Sequence, residues 1–272
     1  MRTSSNPAFR KLPHGQGGYA TFDRRGGGMM GGGAAYADAR ASQAGIGRAG
    51  AGERPLTVDD VVVKTAITGG VALVAGILTA WSGMFFLALP AIIVGFVVSL
   101  IVIFKQSSNP ALVLLYSASM GVALGALTGA LEFSGTNFQG IGFQAIVGTA
   151  GVFVGMLIVY KTGAVKVTPK FTKWLMGASI GVLILMVVNL LAGFFTEGGL
   201  GLRDGSPLAY LFSIVCIGVA AFSLMLDFDM ADRAVKEGAP AKFAWYIAFG
   251  LMTTLVWLYI EILRLLSYLR SE

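Results

Sequence analysis

The stretch TAITGGVALVAGILTAWSGMFFLALPAIIVGFVVSLIVIF, residues 65–104, runs for about 40 residues without Asp, Glu, Lys or Arg. One helical crossing of a bilayer core takes ~20 apolar residues, so this stretch is long enough for two crossings back to back. Near its middle, Trp81-Ser82-Gly83 reads as a tight turn at the membrane interface, with Trp81 as the belt residue. The stretch therefore predicts helix one over about 61–81 and helix two over about 84–104. Pro90 falls inside helix two, where a kink is tolerable in a membrane helix.

Five further apolar runs follow. They predict helix three from Pro110 to Leu131, helix four from Ile141 to Tyr160 and helix five from Phe171 to Phe195. Helix six then runs from Pro207 to Asp229, and helix seven from Ala241 to Leu269. The runs are continuously apolar and do not alternate, which excludes a membrane β-barrel. Only 12% of the 272 residues are charged and 56% are apolar, with a mean hydropathy of +0.76. Soluble domains carry roughly 25% charged residues, so a soluble enzyme is excluded, and so is disorder for the bulk of the chain. A single cysteine, Cys216, rules out an internal disulfide framework or a cysteine zinc cage and reads as an inert packing residue. The single histidine, His14, rules out a histidine-cluster metal site. The expected fold is an all-α, seven-helix transmembrane bundle over residues 56–272, preceded by a disordered Gly/Ala/Arg-rich tail over 1–55.

Eight Lys and Arg residues precede helix one, and most other basic loop residues follow helices two, four and six. The opposite loops hold only Arg203, beside Glu197 and Asp204. By the positive-inside rule the N terminus is cytoplasmic, and seven spans put the C terminus outside. Arg264 and Arg270 run against that placement, and one re-entrant span would bring the C terminus inside. The net charge of +6 sits mostly in the tail and reads as cytoplasmic retention and attraction to anionic lipid, not as nucleic-acid binding. No apolar run near Met1 suggests a signal peptide. Gly15-Gln16-Gly17-Gly18 lacks the strand and helix that a phosphate loop needs.

Small residues recur at four-residue spacing: Gly121, Gly125 and Gly129 in helix three, Gly151 and Gly155 in helix four, Gly177 and Gly181 in helix five. They predict close helix packing within the bundle, with dimerisation as the alternative.

Charges inside spans cost roughly 2.5–3.5 kcal/mol each on insertion scales, so those present are candidates for function. Lys64 lies near the inner end of helix one and can snorkel, Glu132 reads as interfacial, and Asn189, deep in helix five, needs a partner there and reads as a packing residue. Asp227 and Asp229 are two residues apart on helix six, about 200° around the axis, and cannot face the same neighbour. Asp229 and Arg233 are spaced to pair along one helix, and so are Glu261 and Arg264. The alternative is a buried carboxylate that titrates, and that holds a hard cation such as calcium when ionised.

The segments Phe222-Ser223-Leu224-Met225-Leu226-Asp227-Phe228-Asp229 and Leu258-Tyr259-Ile260-Glu261 resemble the sixth- and seventh-helix motifs of the Bax inhibitor-1 family, in its bacterial branch with a long glycine-rich tail. The resemblance covers residues 56–269 and leaves the tail outside. It implies a seven-helix bundle around a central hydrophobic helix, and a calcium leak gated by pH. Asp229 and Glu261 would share a proton, closing the pore when ionised and latched, and opening it when protonated. Some bacterial members instead modulate a membrane-bound protease.

This chain departs from the motif in having Glu at the second position, an extra acid at Asp227, and a separation of 32 positions from Asp229 to Glu261. Straight helices about a turn at Gly238-Ala239-Pro240 would hold those two carboxylates ~20 Å apart along the axis. Either residues 241–250 form a separate interfacial piece, or the pair is differently composed, from Asp227, Asp229 and the hydroxyl of Thr253 or Thr254. The candidate pH-sensing and cation-binding residues are therefore Asp229, Asp227 and Glu261, with Thr253, Thr254, Arg264 and Asn189 as secondary members. No cofactor is expected. Calcium would be the permeant ion, bound at most transiently, and the expected partners are lipid, calcium, protons and a membrane protease. A non-conducting interaction protein is the second function class. An intramembrane enzyme finds no histidine pair, metal-ligand spacing or serine with a base.

Overall fold

The computed structural model describes residues 49–50, 52–196 and 199–271, which fall in one compact unit, Gly45–Glu272. The tail to residue 48, with His14 and the glycine runs, and Glu197 lie outside the described residues. Among the described residues seven α-helices follow in order: α1 (Val58–Ser82), α2 (Ala88–Lys105), α3 (Pro110–Ser134), α4 (Ile141–Thr162), α5 (Pro169–Ala192), α6 (Pro207–Lys236) and α7 (Ala244–Ser271). Each span is long and apolar enough to cross a membrane, the second and seventh including short 3₁₀ turns at their starts. The expected span count and the all-α fold are thus observed.

The helix ends follow local chemistry. The side chains of Asn109, Thr168 and Ser206 each accept a backbone N–H of the first turn, and a proline follows each of them. That proline's missing N–H costs nothing at the first helical position. Gly83 ends α1 at φ 69°, a left-handed conformation that glycine adopts without strain. Trp81 and Ser82 thus still belong to α1, and the turn expected at Trp81-Ser82-Gly83 begins at Gly83.

Most ends shift by up to four residues, α5 for instance stopping at Ala192 instead of Phe195, and three local readings change. Pro90 lies in the first turn of α2, behind the 3₁₀ turn Phe85–Leu87, so it begins a helix and does not kink one. The polar run starting at Asp229 does not end α6, which continues to Lys236. The i,i+4 pairs Asp229–Arg233 at 2.7 Å and Asp232–Lys236 at 2.5 Å support this extra length. Finally, Ala241–Phe243 is a 3₁₀ turn and α7 starts at Ala244. Residues 241–250 are thus not a separate interfacial piece.

α7 packs against α1, α3, α4 and α6, and is the central helix that the family resemblance implies. α2 packs on α3, and α5 packs on α6. Many large apolar side chains point outward, including Leu89, Phe104, Phe143 and Leu190, as the lipid-facing surface of a bundle requires.

The glycine series divide into two kinds. A Cβ on Gly121 would stand 2.8 Å from the Ala72 Cα, and one on Gly125 2.6 Å from that of Gly76. Here α1 and α3 touch backbone to backbone. By contrast, a Cβ added at Gly151, Gly155, Gly177 or Gly181 would meet nothing within 4 Å. The packing expectation therefore holds for Gly121 and Gly125 of α3 and fails for the Gly151–Gly155 and Gly177–Gly181 series of α4 and α5, which meet no neighbour in the bundle.

The segment from Ala49 to Leu56, which sequence assigns almost entirely to the disordered tail, is tied to the α6–α7 turn. Ala49 N donates to Gly238 O (3.0 Å), Leu56 N to Ala239 O (2.7 Å) and Ala241 N to Arg54 O (2.9 Å). Lys242 bonds Glu53 at 2.6 Å and holds its carboxyl below the usual carboxylate range. Leu56 is buried in the core beneath. The ordered contacts thus start ahead of the expected boundary, because backbone groups at the hairpin turn find partners there.

Replacing Gly125 by Ala is expected to destabilise the bundle by about 1–3 kcal/mol, the range for forced overpacking. Gly151→Ala is expected to be neutral or slightly stabilising. Thermal unfolding of both variants in detergent checks the contrast.

Candidate functional site

The acidic residues of α6 and α7 separate into three sites. Asp229 pairs with Arg233 along its own helix, and its side chain is about one-fifth exposed. Glu261 is 1% exposed, and both its oxygens lie 2.8 Å from Nη1 of Arg264. Nη2 of Arg203, from the α5–α6 loop, approaches Glu261 to 3.9 Å. Burial, and then the charge of Arg264, push the Arg203 guanidinium below its usual range. The pairings along each helix suggested by sequence are both present.

Asp227 differs from these. Its Oδ2 accepts the hydroxyl of Thr254 on α7 at 2.7 Å. Its other oxygen lies next to Gly250, where an added Cβ would stand 3.9 Å away. No Lys or Arg pairs with it among the described residues. Asp227 and Asp229 face different surroundings, as their ~200° separation demands. The α7 hydroxyl that serves is Thr254, while Thr253 donates to Phe249 O on its own helix.

The Asp227–Thr254 contact sets the register of the hairpin, with its midpoint between Pro240 and Ala241. By that register Asp229 lies level with about residue 252 of α7. Glu261 is some nine residues further on, ~14 Å along the axis at 1.5 Å per residue. The straight-helix offset of ~20 Å is therefore too long, because it places the hairpin midpoint too early. The conclusion is unchanged: Asp229 and Glu261 do not meet.

Other polar residues have structural partners. Asn189, one turn from the end of α5, accepts the Leu200 N–H at 3.0 Å and so holds the following loop. It is a loop clamp near a helix end, not a deep packing residue. Lys64 bonds Asp60 at 3.2 Å and lies 6.0 Å from the Trp245 ring. Glu132 accepts the Gly142 N–H at 3.0 Å. Cys216 is fully buried.

Sequence reasoning misses two participants. Arg203 reads only as a loop charge; its signal is that it is the lone base opposite an intramembrane acid. Asp60 bonds Arg54 at 2.6 Å and completes a capping box with Thr57. The spacing Thr57-Val58-Asp59-Asp60 carries that signal.

Removing Arg264 takes the close partner of buried Glu261 and leaves it only Arg203, 3.9 Å away and more than a third exposed. Arg264→Met is expected to cost about 3–5 kcal/mol. Glu261→Gln combined with Arg264→Met is expected to lie closer to wild type than Arg264→Met alone. Unfolding in detergent of the single and double variants checks the order.

A search of curated proteins finds no match. A family model described as Bax inhibitor 1 like matches residues 6–271, so it takes in most of the tail that the helix-six and helix-seven motifs leave outside. With seven helices fit to cross a membrane and a match over nearly its whole length, the chain is a multi-pass membrane protein and belongs to the Bax inhibitor 1 like family.

Proposed function

We propose that the protein is a pH-sensitive cation leak of the bacterial inner membrane, passing calcium, with Asp227 as the titrating carboxylate. The N terminus is cytoplasmic and the C terminus outside. The single observation that supports Asp227 is its contact set: a carboxylate between α6 and α7 with a hydroxyl as its hydrogen-bond partner and no basic side chain paired with it among the described residues. At this depth such a group is neutralised by a proton or by a cation. Oxygen ligands of this kind suit calcium, a hard ion.

In the ionised form Asp227 accepts a charge-assisted hydrogen bond from Thr254, which joins α6 to the central helix. Protonation replaces it with a neutral bond, roughly half as strong. The helix pair loosens at that level and the leak rises as pH falls. Asp229 and Glu261, each satisfied by arginine, act as structural ion pairs in this scheme and not as the latch.

A non-conducting regulator of a membrane-bound protease is the second reading. It is favoured by the bonding of residues 49–56 to the α6–α7 turn, which would carry an event on the tail to the hairpin.

Calcium entry into liposomes at pH 6, 7 and 8 tests the leak. Wild type is expected to conduct more at pH 6, Asp227→Asn to lose the pH dependence, and Asp229→Asn to keep it. Folded wild-type protein with no flux above empty liposomes would exclude conduction and leave the regulator.

A further inference from the structure

We propose that a slot between α1 and α4 binds one membrane phospholipid whose headgroup carries an ammonium. α1 and α4 each pack on both α3 and α7, and the slot lies between them with α3 and α7 as its floor. Its volume is about 840 Å³, within the ~300–1,000 Å³ of small-ligand pockets. It is lined from Gly69 to Trp81 on α1 and from Gly142 to Phe153 on α4. At 1.5 Å per residue both walls are roughly 17–18 Å long. That is close to half of the ~30 Å hydrocarbon thickness, the reach of one leaflet's acyl chains. A helix from a second copy would need the whole thickness and a groove for a ~10 Å cylinder. The half-depth slot fits a lipid chain instead.

The mouth supplies the headgroup chemistry. Glu132 and Phe133 line the slot and also a smaller cavity of about 450 Å³, which continues to Gly135 and Gln139. The apolar slot and the smaller cavity thus share Glu132 and Phe133 as walls, which puts a carboxylate at the end of an apolar groove, the arrangement an amphiphile needs. Glu132 has one oxygen on the Gly142 N–H and no Lys or Arg partner among the described residues. Trp81 and Phe133, 85% and 74% exposed, stand at the same rim. A carboxylate beside aromatic rings is complementary to an ammonium and repels an anionic headgroup. Deeper in, Thr128 and Tyr259 satisfy each other at 2.8 Å, so the floor asks nothing polar of the chain.

The test is native mass spectrometry of the full-length chain, extracted in detergent and titrated with phosphatidylethanolamine or phosphatidylglycerol. Wild type is expected to retain the ethanolamine lipid about tenfold better, the scale of one charge-assisted hydrogen bond. Glu132→Gln keeps an acceptor for Gly142 N–H and is expected to abolish the preference. Ala150→Phe adds bulk at an exposed position of the α4 wall and is expected to lower retention of both lipids. Equal retention of the two lipids by wild type would overturn the assignment, as would adducts indifferent to both variants. A dimer lost in Ala150→Phe would overturn it in favour of a second copy in the slot.

Discussion

Hydrocarbon offers a membrane helix neither a hydrophobic reason to join its neighbour nor water for its polar groups. Association must then come from close contact and from polar pairs satisfied inside the protein. The α1–α3 contact meets the first demand, where Gly121 and Gly125 set backbone against backbone of Ala72 and Gly76. The second demand is met around α7, where Tyr259 finds a partner on α3 and Thr254 one on α6. Glu261 adds the loop arginine Arg203 to its own helix's Arg264. The central position of α7 follows from having partners on several sides.

The spans are legible in the sequence because charge-free length is a one-dimensional property. Thr65–Phe104 announces two crossings whatever the neighbours do. The caps at Asn109, Thr168 and Ser206 are local patterns of the same kind, each with a proline behind it. Glycine spacing is only half legible. The same four-residue period marks a buried contact in α3 and an unoccupied face in α4 and α5, since period alone does not say what stands opposite. The acids are legible as candidates but not as partners. Asp229 and Glu261 each end a family motif, yet partnership depends on the register of a hairpin whose midpoint residue the sequence does not mark. Arg203 is hidden for the converse reason, because a loop returns it to a helix residue nearly 60 positions later.

The polar groups of α6 and α7 occupy distinct depths. Asp227 and Thr254 lie toward the lysine-rich end, and Glu261 with its two arginines lies about 10 Å further along α7. Asp227 is a carboxylate with a neutral partner, Glu261 a carboxylate between two cations. A single helix pair thus presents one acid whose charge is balanced internally and one whose balance, in the proposed scheme, depends on what reaches it from solution. Their separation lets Asp227 change protonation in that scheme without disturbing the ion pairs around Glu261.

The Lys242–Glu53 bond joins residues 189 apart in the chain. With the backbone bonds beside it, it closes a loop that contains six of the seven helices. Such a loop carries a large closure entropy, although that entropy grows only logarithmically with length. It also dictates an order of assembly. During synthesis Glu53 to Leu56 emerge ahead of all seven helices but have no partner until the last hairpin turn is made. Their docking is thus among the later steps of assembly and records that the α6–α7 turn has formed.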